Sequence, residues 1–142
     1  MNQQIPKSGR LAFCNQLIGN SSGFNLNGAN YYLYVSSHTY SISDTLATYT
    51  AIEANPTYFP GKTATGWVPA TIEVTENDGY SYANSVTWVN TSGSSVSFYG
   101  FFVSESTNTT LLMAGAFDSA PIVVPNGSSI TIVPTFYFTS IY

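Results

Sequence analysis

The sequence predicts an all-β fold, an antiparallel two-sheet β-sandwich of jelly-roll or immunoglobulin-like type. Three observations predict it. Short runs rich in Val, Ile, Tyr, Phe and Thr recur along most of the chain. Turn residues such as Asn-Gly, Asp-Gly and Ser-Gly punctuate them roughly every ten positions. No helical stretch long enough to act as a parallel crossover lies between them, which leaves antiparallel connections. Periodicity does not choose between the two topologies, and with a single cysteine the Cys-Trp-Cys landmark of true immunoglobulin domains is absent.

The elements follow in order. Residues 1–30 form an N-terminal arm and loop, set apart from a sandwich domain over 31–142. Within the arm, 19–30 reads as a loop, because Gly and Asn tolerate positive φ and Ser and Asn compete with backbone pairing. Residues 31–35 (Tyr-Tyr-Leu-Tyr-Val) make the first strand. Residues 43–53 hold the one short helix expected, capped by Ser43 or Asp44, with Leu46, Tyr49 and Ile52 along one side. It stops before Pro56.

Residues 67–74 read as a strand, with Pro69 favouring an edge or bulge near its start. Asn77-Asp78-Gly79 supplies a turn. Residues 85–90 alternate, 91–95 turn the chain, and 96–103 (Val-Ser-Phe-Tyr-Gly-Phe-Phe-Val) are apolar on both parities. A strand apolar on both faces must have both faces covered. Asn108 opens a strand over 110–117, residues 121–125 are a short strand, and Asn126-Gly127 turns into the last. Over 130–138, Ile130, Ile132, Phe136 and Phe138 alternate with Thr131, Thr135 and Thr139 at the end.

The composition excludes several roles. Three cations (Lys7, Arg10, Lys62) face seven acids in 142 residues, a net charge of −4, so phosphate-backbone neutralisation is not expected and nucleic acid is excluded as a partner. Only 7% of residues are charged, and Ser, Thr and Asn supply the wetted surface instead. No apolar run is long enough to cross a bilayer, so no membrane association is expected. The start carries no apolar h-region, so no secretory signal is expected. Cys14 is alone, so no intrachain disulfide forms and a structural zinc site is not expected.

The chemistry-bearing residues are sparse. A catalytic triad could centre only on His38, the single histidine, and the many serines make any such pairing uninformative. Against it stands an ordinary loop histidine. Glu73, Glu76 and Asp78 cluster at a turn that lacks the further acidic ligands of a calcium loop, so a solvated hairpin is the competing account. Four Asn-x-Ser/Thr sites, at Asn20, Asn90, Asn108 and Asn126, arise by chance in a chain this rich in hydroxyls. Cys14, near Phe13 and Leu17, reads as a small buried residue. Trp67 and Trp88 sit in strands with apolar neighbours, which reads as core rather than as a sugar-stacking platform. No catalytic residue, metal or cofactor is expected.

The order of motifs from Thr45 onward resembles small tailed-phage virion structural proteins. The resemblance rests on residues 45–53 (Thr-Leu-Ala-Thr-Tyr-Thr-Ala-Ile-Glu), 66–72 (Gly-Trp-Val-Pro-Ala-Thr-Ile) and 86–93 (Val-Thr-Trp-Val-Asn-Thr-Ser-Gly). It continues through 96–103, 111–117 (Leu-Leu-Met-Ala-Gly-Ala-Phe) and the Pro-Asn-Gly turn of 124–134. It covers about two-thirds of the chain. Ala47-Thr48 stands where such proteins commonly have an acid, and Ala114-Gly-Ala-Phe replaces their tryptophan-and-acid pattern. The resemblance implies a non-enzymatic capsid decoration (cement) protein, a head-fibre base or a tail component, made in the host cytoplasm and assembled in the virion. A carbohydrate- or host-receptor-binding module of a head or tail fibre is the alternative.

Composition adds an expectation about partners. Residues 96–103 and 31–34 carry more apolar surface than one small sandwich readily hides, which suggests a homo-oligomer interface, a trimer, bound to a major capsid protein or another virion protein. A buried central strand is the rival account. Residues 1–18 combine Lys7 and Arg10 with Ile5, Leu11, Phe13, Leu17 and Ile18, either as a docking arm for an acidic partner or as a first strand with a frayed end. The candidate oligomer or capsid interface is therefore Ile5, Lys7, Arg10, Leu11, Phe13, Tyr31, Tyr32, Tyr34, Tyr99 and Phe101.

Overall fold

The fold is mostly β, with several antiparallel sheets and, among the described residues, two short helices, one more than the sequence predicts. The structure, a computed structural model, describes residues 2–10, 25–69, 71–72 and 79–138. Its strands are β1 (Asn2–Gln4), β2 (Asn30–Tyr34), β3 (Lys62–Thr63), β4 (Thr71–Ile72), β5 (Gly79–Tyr82) and β6 (Val86–Val89). They continue as β7 (Val96–Phe98), β8 (Gly100–Ser104), β9 (Leu111–Ala116), β10 (Ile122–Val124), β11 (Ser129–Ile132) and β12 (Thr135–Phe138). Residues 7–10 are helical (α1), and α2 spans Leu46–Thr50.

A five-stranded antiparallel sheet runs β1-β9-β8-β2-β3, and three smaller ladders pair β7 with β10, β6 with β11, and β5 with both β4 and β12. The run over 96–103 is not one strand. It leaves the β7–β10 ladder at Phe98 and joins the large sheet at Gly100, with Tyr99 bonded through its backbone to Tyr34 and Phe117. This step explains why Phe98 and Phe101, of opposite parity, share one core. Gly100 makes the step possible, because a Cβ there would collide with the Gly115 carbonyl and the Tyr34 ring.

The two faces of the large sheet are covered differently. One face packs Tyr31, Leu33, Phe101, Val103 and Leu112 against Val86, Trp88, Phe98, Val124, Ile130 and Ile132 from the smaller ladders. On the other, Tyr34, Phe102, Leu111 and Ala114 meet Tyr49 of α2, with Leu46 and Ile52 packed alongside. Of the predicted helix face, Leu46 and Tyr49 lie on α2, whereas Ile52 packs from the turn after it, because the helix ends at Thr50 rather than near residue 53. Its start differs: Thr45, not Ser43 or Asp44, is the cap, and the Thr48 hydroxyl accepts a 3.1 Å bond from the Thr45 N–H.

Both ends of the closing segment are strands, but Pro134 splits them: β11 pairs with β6 and β12 with β5. Of the 67–74 strand, residues 71–72 form β4 and 67–69 are not in a strand, while Ala70, the acids Glu73, Glu76 and Asp78, Val74 and the turn at Asn77-Asp78 lie outside the described residues. The turns at 91–95 and 125–128 are tied together by Asn90. Its buried side-chain amide donates to Ser94 O and Val124 O at 2.8 Å each, and its Oδ1 accepts from Ser92. Every polar group of that buried side chain is satisfied, which suits a structural staple rather than a glycan acceptor.

The first ten residues belong to the sheet as far as they are described. β1 pairs with β9, Ser8 Oγ donates to Leu111 O at 3.0 Å, and Lys7 N donates to Ile42 O at 3.0 Å. Gly9 lets α1 lie flat on β9, since a Cβ there would strike the Leu112 carbonyl. Of the N-terminal segment, residues 2–4 form a strand of the sheet, while residues 7–10, with Lys7 and Arg10, form α1.

Candidate assembly surface

The predicted interface residues part company in the structure. Tyr31 and Phe101 are 0% exposed and Tyr34 is 2% exposed, all within a single chain. These three are corrections: they cannot carry a contact between chains, and the rival account, a buried central strand, holds for this region. The reason is coverage. β2 is flanked by β3 and β8, the smaller ladders close one face, and α2 closes the other. Tyr32 and Tyr99 are partly buried against the α2 side, and Ile5 against the main core. Lys7 and Arg10 are exposed, the latter donating from Nε to Ile5 O at 2.9 Å. Leu11, Phe13, Cys14, Leu17, Ile18 and Asn20 lie outside the described residues.

A different aromatic surface is open. The β5–β12 register sets Tyr80 opposite Tyr137 and Tyr82 opposite Thr135, and that of β4 with β5 sets Thr71 opposite Tyr80. Directly opposed residues share a face, and so do i and i+2 on one strand, so Tyr80, Tyr82 and Tyr137 project together. Their rings stack, with centroids 5.8 Å apart for Tyr80–Tyr137 and 6.5 Å for Tyr80–Tyr82. Tyr82 is 46% and Tyr137 53% exposed. None of the residues in β4, β5 and β12 is charged. Val133, immediately before Pro134, is also exposed.

Such a face can bury apolar area with no ionic cost, and phenol hydroxyls at its rim can bond to a partner. The sequence carried a signal for it in the i, i+2 spacing of Tyr80 and Tyr82. In the closing strand the matching signal is Tyr137, on the parity opposite Phe136.

His38 is better placed than a plain loop histidine. Its Nε2 lies 2.8 Å from Asp44 Oδ2, which also accepts from the Ser41 N–H at 2.9 Å and the Tyr49 hydroxyl at 3.3 Å. The imidazole meets the Tyr49 ring edge-on at 5.1 Å. Burial pushes the Asp44 carboxyl up, but the Ser41 N–H, His38 and Tyr49 outweigh it and hold the group below its ordinary range. Burial first, then the Asp44 charge, pushes the Tyr49 phenol up. The cluster borders a cavity of about 120 Å³ walled by Gln4, Tyr34, Tyr40 and the β9 backbone. A base with an orienting carboxylate is two-thirds of a triad; among the described residues no serine or threonine hydroxyl bonds to the imidazole. What the arrangement does visibly is pin loop 36–44 to α2.

Trp88 is buried with Nε1 donating to Pro60 O at 2.7 Å, and Trp67 is half-buried with Nε1 donating to Leu26 O at 2.9 Å. Neither forms an open sugar platform. Among the described residues no group of His, Cys, Asp and Glu is placed to hold a metal ion. No described helix is long and apolar enough to cross a membrane.

No family model, no curated protein and no solved structure matches this chain.

Proposed function

We propose that this chain is a non-enzymatic structural protein of a tailed-phage virion, a capsid decoration protein that acts as a homo-oligomer, a trimer. The observation that carries the reading is the uncharged, outward tyrosine face of β4, β5 and β12. The motif order from Thr45 supplies the virion context, and the large sheet opposed by the smaller ladders suits a two-sheet sandwich. Contacts made by such a face depend on buried area, at about 25 cal/mol per Å² before association costs, and are insensitive to salt.

The test is sedimentation of the purified protein, alone and with purified capsids, at low and molar salt. The expected result is a trimer that co-sediments with capsids under both conditions. Tyr82→Ser with Tyr137→Ser should release monomers of unchanged fold. A wild-type monomer at micromolar concentration with no affinity for capsids overturns the reading. The same face favours one alternative, a glycan- or receptor-binding module, because neutral tyrosines beside Thr71 and Thr135 also suit a neutral sugar. Saturable binding on a glycan array, lost in the same double variant, would select it.

A further inference from the structure

The space between α2 and the large sheet contains a second cavity, of about 210 Å³, bordered by Leu46, Thr50, Glu53, Tyr32, Phe102 and Asn108. Its polar groups are arranged one way round. The Tyr32 hydroxyl donates to Asn108 Oδ1 at 2.8 Å, Ser104 Oγ donates to the same oxygen at 2.6 Å, and Thr50 Oγ1 donates to Ala47 O at 3.2 Å. The three hydroxyl protons are committed inward, so their oxygens offer lone pairs. The Asn108 amide is the one side-chain donor left at the rim.

Glu53 adds a negative charge. Among the described residues no cation or hydrogen-bond donor reaches its carboxylate, and burial pushes its pKa up. Tyr32, stacked on the buried Phe102 at 5.0 Å, supplies aromatic surface, and Leu46 an apolar wall.

We propose that this cavity binds a primary alkylammonium group, with its charge on Glu53, its N–H groups on the lone pairs of the pocket hydroxyls and its alkyl stem along Leu46 and the rings. Acceptors and a lone carboxylate repel an anion and attract a cation that carries N–H donors. A hard divalent ion is unsuited, since calcium takes six to eight oxygen ligands and this wall is largely aromatic and aliphatic. Aromatic rings beside a carboxylate suit an ammonium ion. The volume lies below the range of about 300–1,000 Å³ typical of drug-sized ligands and fits a group the size of a lysine side chain. Lys7, Arg10 and Lys62 do not border it. The group therefore comes from a free small amine or from a lysine on another protein. The inference is independent of the tyrosine face, so either can fail alone.

Amide chemical-shift titration of the ¹⁵N-labelled chain tests it, with n-propylammonium chloride as the free amine and Nα-acetyl-lysine methylamide as the lysine-borne one. n-Propanol and matched sodium chloride serve as controls. The expected result is saturable shifts at Thr50, Glu53 and Ser104 with an ammonium probe, at least tenfold weaker in Glu53→Gln. In the wild type they should weaken as pH falls and Glu53 takes up its proton; Tyr32 is the one other titratable group on the cavity wall. Tighter binding of one probe assigns the source. Equal shifts with n-propanol, no saturable shift with either ammonium probe, or binding unchanged by both Glu53→Gln and acid overturns the proposal.

Discussion

Two tyrosine groups occupy opposite positions in this molecule. Tyr31, Tyr32 and Tyr34 sit on β2, between β8 and β3 of the five-stranded sheet, and Tyr80, Tyr82 and Tyr137 sit on a short ladder whose outer face is open. The local sequences are alike, Tyr-Tyr-Leu-Tyr against Tyr-Ser-Tyr. What separates them is coverage from elsewhere: β8 beside β2, the smaller ladders below it and a five-residue helix above it. The lesson is that an excess of aromatic residues does not say which of them faces a partner. A helix burying only Tyr49 fully, with Leu46 and, from the turn after it, Ile52 half covered, is enough to turn a suspected interface into core.

The sharpest way to break this contrast is to truncate one ring on each side. Phe102 is fully buried between Tyr32 and Tyr49, with ring centroids at 5.0 and 5.6 Å. Phe102→Ala should cost about 3–5 kcal/mol, since it removes transfer energy and leaves a cavity beneath α2. Tyr137→Ala, on the open face, should change the stability of the monomer by less than about 0.5 kcal/mol. Guanidinium denaturation under monomeric conditions measures both. Equal costs would mean that α2 does not cover the sheet in solution.

Asp44 holds that cover in place and gives a smaller effect. Asp44→Ala strips acceptors from the Ser41 N–H, His38 and the Tyr49 hydroxyl, and should cost about 1.5–3 kcal/mol at neutral pH. The pH dependence has a definite sign. With the folded carboxyl held below its ordinary value near 3.8, its contribution is fully present above that value and is lost as pH falls through the lower folded one. Glu53 works the other way. Its folded pKa lies above the ordinary 4.5, so its contribution is greatest below that value and declines as pH rises through the folded one. Stability curves of Asp44→Ala and Glu53→Gln against pH should therefore depart from wild type with opposite slopes in the acid range. Parallel curves would mean that one of the two environments is misassigned.

Much of the fold was legible because it rests on local pattern. The helix face of Leu46 and Tyr49, the turns at 91–95 and 126–127, and the alternation of Ile130 and Ile132 all follow from spacing and turn chemistry. Two readings failed where a single residue interrupts a pattern. Gly100 ends one strand and begins another, which reverses the parity of Phe98 relative to Phe101, and Pro134 divides the closing strand. Both residue types are recognised interrupters of strands. β1 is one of two readings open for the N-terminal segment, because Asn-Gln-Gln has no apolar period to decide between them; it joins the sheet by main-chain pairing with β9. The site was less legible than the fold. The acceptor cavity depends on which way hydroxyls donate, and that is settled by residues distant in sequence, such as Asn108 against Tyr32.

The smallest effect probes a single atom. Among the described residues the buried Tyr31 hydroxyl has no hydrogen-bond partner, and burial pushes its pKa up. Its ring stacks on Phe101 at 5.9 Å, so the aromatic body earns its place while the polar tip opposes burial. Tyr31→Phe keeps the ring and removes the oxygen, and should be neutral or stabilising by up to about 1 kcal/mol. The matched variant is Tyr34→Phe, three residues along the same strand. Its hydroxyl reaches Gly115 O at 3.4 Å, so losing it should cost about 0.5 kcal/mol. Thermal unfolding of the two variants beside wild type reads the difference directly. If Tyr31→Phe is the more destabilising, its hydroxyl has a partner, and the large sheet's ladder-side core is wetter than its helix-side one.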